Sequence, residues 1–89
     1  MALDERLLDI LVCPVDKGAL LYFAEEGTLY NPRLRRLHRV ESDVPLMRTD
    51  QSEAVDQERH RRLLSGAAAG AAVGTVGMPV GELLAAQHL

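Results

Sequence analysis

Pro14 dictates where the first element of this chain stops. The residue before a proline is pushed out of the α region, so the apolar pattern upstream has to end at Cys13. Leu3, Leu7, Leu8, Ile10 and Leu11 recur at spacings of three and four, with Asp4, Glu5, Arg6 and Asp9 mostly between them, which predicts an amphipathic helix over residues 3 to 11. Asp4 and Glu5 fall in its first turn, where the helix dipole favours acids. Beyond Pro14, Asp16-Lys17-Gly18 supplies turn chemistry: aspartate bonds its own downstream backbone and glycine takes positive φ freely. Helix, Cys-Pro-x-Asp-Lys-Gly turn and returning strand make a metal-knuckle-like shape holding only half of a knuckle's ligands.

With 89 residues the chain has room for one small domain, which buries only about 60% of its unfolded surface and often leans on a metal, a disulfide or a partner. Tyr22, Phe23 and Tyr30 are its only aromatic residues, and much of the apolar remainder is Ala and Val, so the core is small. A single cysteine excludes an intramolecular disulfide and fits a reducing compartment. Met1-Ala2-Leu3-Asp4-Glu5 offers no basic region of the kind that opens a secretory signal, so the expected location is cytoplasmic. A net charge of -3 gives no general attraction to nucleic acid.

After the turn, Ala19-Leu20-Leu21-Tyr22-Phe23 reads as a strand, Glu25-Glu26-Gly27 as a turn, and Thr28-Leu29-Tyr30 as the paired strand of a hairpin. Asn31-Pro32 breaks it, and residues 34 to 40 alternate loosely into a third strand. Val44-Pro45-Leu46-Met47 reads as an edge strand, because proline cannot donate to a central ladder. From Thr49 the character changes. Asp50, Glu53, Asp56 and Glu58 precede Arg59, Arg61 and Arg62, the order that complements a helix dipole, and a helix over residues 50 to 64 with Thr49 or Asp50 as its N-cap is expected. Residues 65 to 81 carry no charge and are dominated by Ala and Gly. Gly66, Gly70 and Gly74 follow a small-xxx-small pattern, yet the segment is too weakly apolar to span a membrane and Pro79 interrupts it. A poorly ordered tail over residues 65 to 89 is the expectation, with one or two helical turns at residues 82 to 87.

The chemistry-bearing residues give little to an enzyme. Cys13 lies at a helix C-terminus, where the dipole opposes a thiolate, so it reads as a buried structural cysteine. No glycine-rich phosphate loop, nucleophile elbow or chelating histidine motif occurs. His38 and His60 lack the spacing of a chelating pair, and His88 reads as solvated. Arg33, Arg35, Arg36, Arg39 and Arg48 crowd into sixteen residues against Glu41 and Asp43 only. That stretch is either a solvated face, a protein-binding surface or an RNA-facing one, and the last would need aromatic residues interleaved with it.

The residues Leu7-Leu8-Asp9-Ile10-Leu11-Val12-Cys13-Pro14, then Leu20-Leu21-Tyr22, then Val44-Pro45-Leu46-Met47, resemble the YcaR-like group of very short bacterial proteins. That group is similar to the zinc-ribbon activator subunit of tRNA and protein methyltransferases in eukaryotes and archaea. The likeness covers residues 3 to 48. Zinc-binding members carry a Cys-Pro-x-Cys knuckle and a second cysteine pair after the hairpin. Here Asp16 stands at the second ligand position, the second pair falls near Tyr30 and Arg33, and the family's Asp-Gly-Ile-Pro becomes Ser42-Asp43-Val44-Pro45. One thiolate and one carboxylate do not make a four-ligand zinc site. Losing such an ion removes about 10 to 16 kcal/mol of apparent binding energy, and the resemblance suggests that Asp16 pairs with Arg33 where thiolates would face each other.

The reading is therefore an α+β fold: a zinc-ribbon-like module at residues 1 to 48 with an N-terminal helix on a three- or four-stranded antiparallel sheet, a charged helix at 49 to 64, then the tail. No cofactor, resident metal, catalytic residue, small-molecule substrate or membrane is expected. The resemblance implies a noncatalytic partner or activator of an S-adenosylmethionine-dependent methyltransferase, and the apolar edge at Val44, Pro45, Leu46 and Met47 reads as the partner-binding surface, inviting strand addition or dimerisation. A homodimeric structural protein and an RNA-binding accessory module using Arg33, Arg35, Arg36 and Arg39 are the alternatives.

Overall fold

The computed structural model describes residues 5–42 and 44–85. Helix α1, Glu5–Leu8, ends before the predicted residue 11, although the amides of Ile10 and Leu11 still return to the Leu7 carbonyl at 3.1 Å; residues 3 and 4 of the predicted helix lie outside the described residues. The hairpin follows as expected, β1 (Leu21–Phe23) against β2 (Thr28–Asn31), with Leu21 opposite Tyr30 and Phe23 opposite Thr28. Strand β3, Arg36–Glu41, pairs with β2, and the two-residue β4, Val44–Pro45, pairs with the end of β3.

From residue 49 the structure corrects the expected boundaries. Thr49–Gln51 form a 3₁₀ turn and Glu53–Ala54 form β5, which pairs with Arg36 and Leu37 of β3. Helix α2 begins only at Gln57 and runs to Ala68, with Asp56 as N-cap accepting the Arg59 amide at 2.8 Å. The acids expected to line its first turn are engaged elsewhere, Asp50 with Arg48 at 2.7 Å and Glu53 with Arg39. The helix closes on Gly70, whose φ of 98° lets its amide bond Ala67 while the Ala71 amide bonds Gly66, a Schellman ending that glycine favours.

Where the sequence suggests a loose tail, residues 65 to 85 carry regular structure, and residues 86 to 89 lie outside the described ones. Val73–Gly74 form β6, antiparallel to β1, and Val80–Ala85 form α3. Thr75, fully buried, brackets Leu20: its amide donates to the Leu20 carbonyl at 2.9 Å and its hydroxyl accepts the Leu20 amide at 2.8 Å. The Val76 amide bonds the Leu8 carbonyl of α1 at 2.9 Å. The result is an antiparallel sheet in the order β4-β3-β2-β1-β6, with β5 beside β3. Strands from before residue 48 and after it share that sheet.

Period-2 alternation along β1 and β2 divides the apolar residues between two cores. Leu21, Phe23, Tyr30 and Leu37 face α2 and α3, packing on Val55, Leu63, Ala67 and Leu83. Leu20, Tyr22 and Leu29 face the other way, onto Leu11 and Cys13, with Leu7, Leu8, Val40 and Met47 at the margin. Leu83 is only 5% exposed. Leu83→Ala is expected to cost about 2 to 3 kcal/mol and lower the melting temperature by roughly 10 °C or more, whereas an unattached tail would leave the melting curve unchanged.

Candidate functional site

The turn after Cys13 is closed by two backbone bonds, Lys17 amide to Cys13 carbonyl at 2.9 Å and Cys13 amide to Gly18 carbonyl at 3.0 Å. Lys17 sits at φ 59°, the left-handed region. The Val15 amide points at the Cys13 sulfur at 3.4 Å, and the thiol is 1% exposed against the Leu11 and Leu20 core. Facing this turn is the one that ends β2. The Asn31 carboxamide oxygen accepts the amides of Arg33 at 2.9 Å and Leu34 at 3.2 Å, an Asx turn that fixes the start of the Arg33 side chain.

Asp16 and Arg33 join the two turns. Arg33 Nε donates to Asp16 Oδ2 at 2.6 Å and Nη2 donates to Oδ1 at 3.2 Å, the bidentate geometry that suits guanidinium and carboxylate. Nη2 also donates to the Ala19 carbonyl at 2.8 Å, and Oδ1 accepts further bonds from the Gly18 amide at 3.0 Å and Asn31 Nδ2 at 3.3 Å. A Cβ at position 18 would collide with the Arg33 guanidinium, so glycine there lets the fork close. The Arg33 hydrogen bonds, with smaller help from the Gly18 amide, hold the Asp16 carboxyl far below its usual range against the opposing effect of desolvation.

Tyr30 does not join this group. It lies on the other side of the sheet, fully buried, with its hydroxyl 2.5 Å from Nδ1 of the equally buried His60 on α2. The two rings meet tilted at 59°, centroids 5.8 Å apart. Burial pushes the Tyr30 phenol up to about 12 and holds the His60 imidazole below its ordinary value, Arg35 adding to the latter. The four degenerate-knuckle positions thus split into a buried thiol, a salt-bridged pair and a phenol on the opposite face. That donor set does not fit a tetrahedral zinc ion. Among the described residues no three His, Cys, Asp or Glu side chains gather in a metal-holding arrangement. His38 instead donates its Nδ1 proton to the Leu46 carbonyl at 2.9 Å, while His88 lies outside the described residues.

The arginine stretch is largely engaged within the chain. Besides Arg33, Arg36 donates to Ser52 Oγ at 3.0 Å and to the Thr49 carbonyl at 3.4 Å, and Arg39 pairs with Glu53, which also holds Arg59 at 3.7 Å. Arg35 makes no such bond among the described residues. Tyr22, Phe23 and Tyr30 are all buried, so no aromatic platform stands beside these cations. On β4, Val44 is 58% exposed, whereas Met47 packs at the margin of the Cys13 core. Sequence reasoning missed Asn31, His60 and Thr75. An Asn-Pro pair signals an Asx turn, but nothing local reveals that His60 would face Tyr30.

The fold and this site define a small α+β module whose two facing turns are fastened by a carboxylate and a guanidinium. A sequence profile described as Trm112p-like protein matches residues 4–41, the stretch that contains both turns. A UPF0434 protein of Gluconobacter oxydans is 39% identical over 54 residues, 61% of this chain and 92% of that relative. One from Gluconacetobacter diazotrophicus is 39% identical over 54 residues, with 61% and 86% covered. One from Methylococcus capsulatus is 34% identical over 61 residues, with 68% and 87% covered. The chain belongs to the UPF0434 family.

A double-mutant cycle on Asp16→Ala and Arg33→Ala is expected to give a coupling energy of about 1 kcal/mol, read from denaturant melts; a coupling of zero would mean the fork holds nothing. Because the folded carboxyl titrates below its ordinary value of 3.8, its contribution is complete above that pH and fades as the solution is acidified further, a slope Asp16→Asn should remove. The His60 imidazole also titrates below its ordinary 6.5 when folded, so the unfolded chain takes up the proton first and stability falls as pH drops below 6.5. His60→Gln should flatten that slope in a melting series across the same range.

Proposed function

We propose that this chain is a noncatalytic, zinc-ribbon-like binding module that partners and stabilises an S-adenosylmethionine-dependent methyltransferase in the cytoplasm. In this reading a polar clamp stands where metal-binding relatives place an ion. The observation that carries it is the Asp16–Arg33 fork, which lies inside the profile-matched stretch and fastens the same two turns that a pair of knuckles would. Since both residues are engaged with each other, the fork performs no acid-base chemistry, and its role is to hold a surface in shape. The surface proposed for docking runs along Val44, Pro45, Leu46 and Met47, of which Val44 projects furthest into solvent. Strand addition there is limited, because β4 is two residues long and Pro45 has no amide to donate. Contact would therefore pass through the Val44 side chain and its neighbours.

An RNA-binding role has less support. Arg33, Arg36 and Arg39 are each tied to a partner within the chain, and stacking groups are absent from the exposed described surface. Co-expression with methyltransferases encoded in the native genome, followed by size-exclusion chromatography with light scattering, tests the proposal. A one-to-one complex with raised methyl transfer is expected, and Val44→Asp should abolish it without lowering the melting temperature of the isolated chain. A chain that remains a monomer or homodimer beside every such enzyme would overturn the reading. Metal analysis supplies an independent check: chelator should leave the melting temperature unchanged, while stoichiometric zinc with unfolding on chelation would refute the clamp.

A further inference from the structure

A cavity of about 270 Å³ opens between the first hairpin and helix α2, on the side of the molecule away from the Cys13 core. Its floor is apolar, made by Phe23 at the end of β1, Leu63 and Ala71. One face of α2 forms the wall, since Arg59, Arg62, Leu63 and Gly66 follow the three-and-four spacing of a helical stripe. Glu26, in the hairpin turn, stands on the rim. The size falls just under the roughly 300 Å³ at which pockets for drug-sized ligands begin, which suits a group of a few carbons with one polar end.

Two observations mark the cavity as more than a packing gap. Gly66 lies inside α2 at a position where helix propensity favours alanine. A Cβ there would meet only ordinary contacts, Phe23 Cε2 at 3.8 Å and Ala71 Cβ at 3.9 Å, so no close approach requires glycine. An added methyl group would instead take up part of the cavity, which Gly66 lines together with Phe23 and Ala71. The second observation is Arg62, which makes no hydrogen bond or ion pair among the described residues, whereas Arg59 shares Glu53 with Arg39. Glu26, on the same rim, repels any carboxylate, an effect the Arg59 and Arg62 cations on the facing wall oppose.

The geometry points to a binding site for a single carboxylate carried on a short apolar stem, with Arg62 holding the carboxylate and the stem lying on Phe23 and Leu63 over Gly66. The ligand is either a small free acid or the C-terminal residue of a peptide chain with an apolar side chain. This inference is independent of the methyltransferase partnership. Titration of the isotope-labelled full chain, followed by amide chemical shifts, tests it with three probes: isocaproate, N-acetyl-leucine as a peptide C-terminus, and the neutral isocaproamide.

Saturable shifts centred on Phe23, Leu63, Gly66 and Ala71 are expected with a carboxylate, with isocaproamide binding about ten-fold or more weakly. Preference for N-acetyl-leucine would assign the site to a chain terminus, and preference for isocaproate to a small acid. Arg62→Ala should weaken binding by about ten-fold. Gly66→Ala should abolish binding while holding or raising the melting temperature, a pairing that a purely structural glycine would not produce. The inference fails if neither carboxylate saturates, if isocaproamide binds equally well, or if Gly66→Ala binds as the parent does.

Discussion

The β1–β2 hairpin is buried on both faces, and the rest of the structure answers to that condition. Leu20, Leu21, Leu29 and Tyr30 have no measurable exposure, and Tyr22 and Phe23 are nearly as deeply enclosed. Because alternate side chains leave a strand on opposite sides, an unbroken apolar run needs cover above and below. The N-terminal segment can cover only one side, with Leu7, Leu8, Leu11 and Cys13 beneath Leu20, Tyr22 and Leu29. The other side belongs to α2 and α3, which lie beyond the profile-matched residues 4–41. Without them Leu21, Phe23, Tyr30 and Leu37 would face water, a contiguous apolar patch of the kind that draws association.

Charge is arranged on the same plan. Arginines from the β2–β3 region meet carboxylates from distant parts of the chain: Arg33 takes Asp16 from the first turn, and Arg39 takes Glu53 from β5. Glu53 also reaches Arg59 of α2 and so links sheet to helix. Pairs as exposed as Arg39 with Glu53 add little stability singly. Their effect is geometric, holding β5 and the start of α2 against β3. Asp16 with Arg33 is different in degree, because both oxygens of the carboxylate are occupied and backbone groups of Gly18 and Ala19 complete the set. Tyr30 with His60 does the corresponding work on the buried face, tying β2 to α2 where an unpaired hydroxyl would be costly.

The first half of the fold was legible because its signals are local. Pro14 stops α1, Gly27 turns the hairpin and Asn31-Pro32 ends β2, each by a backbone effect within a few residues. The Asp16–Arg33 pairing was legible only through family likeness, since nothing in a seventeen-residue separation predicts contact. The second half was misread for two physical reasons. Acids at Asp50 and Glu53 look like helix-start signals, and what overrides them is the pairing of Glu53–Ala54 with β3 and the burial of Val55 in the core. Ala- and Gly-rich composition looks like disorder, yet small residues also let a helix lie close to a sheet, as Ala67 of α2 does in the core. The usable clue was Leu20 to Phe23: five apolar residues from Ala19 onward, with one short helix to cover them, demand a second covering element further along the chain.

That second element changes which surfaces are left for a partner. The outer edge of β1 is taken by β6, and one half of the edge of β3 is taken by β5 and the other by β4. The 54 residues aligned with the Gluconobacter oxydans relative make up 92% of it, so that relative is shorter than this chain, and the profile stops before α2 begins. The elements that close the sheet here, β4, β5 and β6, therefore all lie beyond the profile-matched residues 4–41. A partner that needed an open strand edge or the Leu21–Phe23 face would have to displace hydrogen-bonded and packed elements, beginning with Thr75 and its two bonds to Leu20. A partner that reads side chains on the β4 side meets no such barrier. The docking proposed at Val44 and its neighbours would leave α2, β6 and α3 in place.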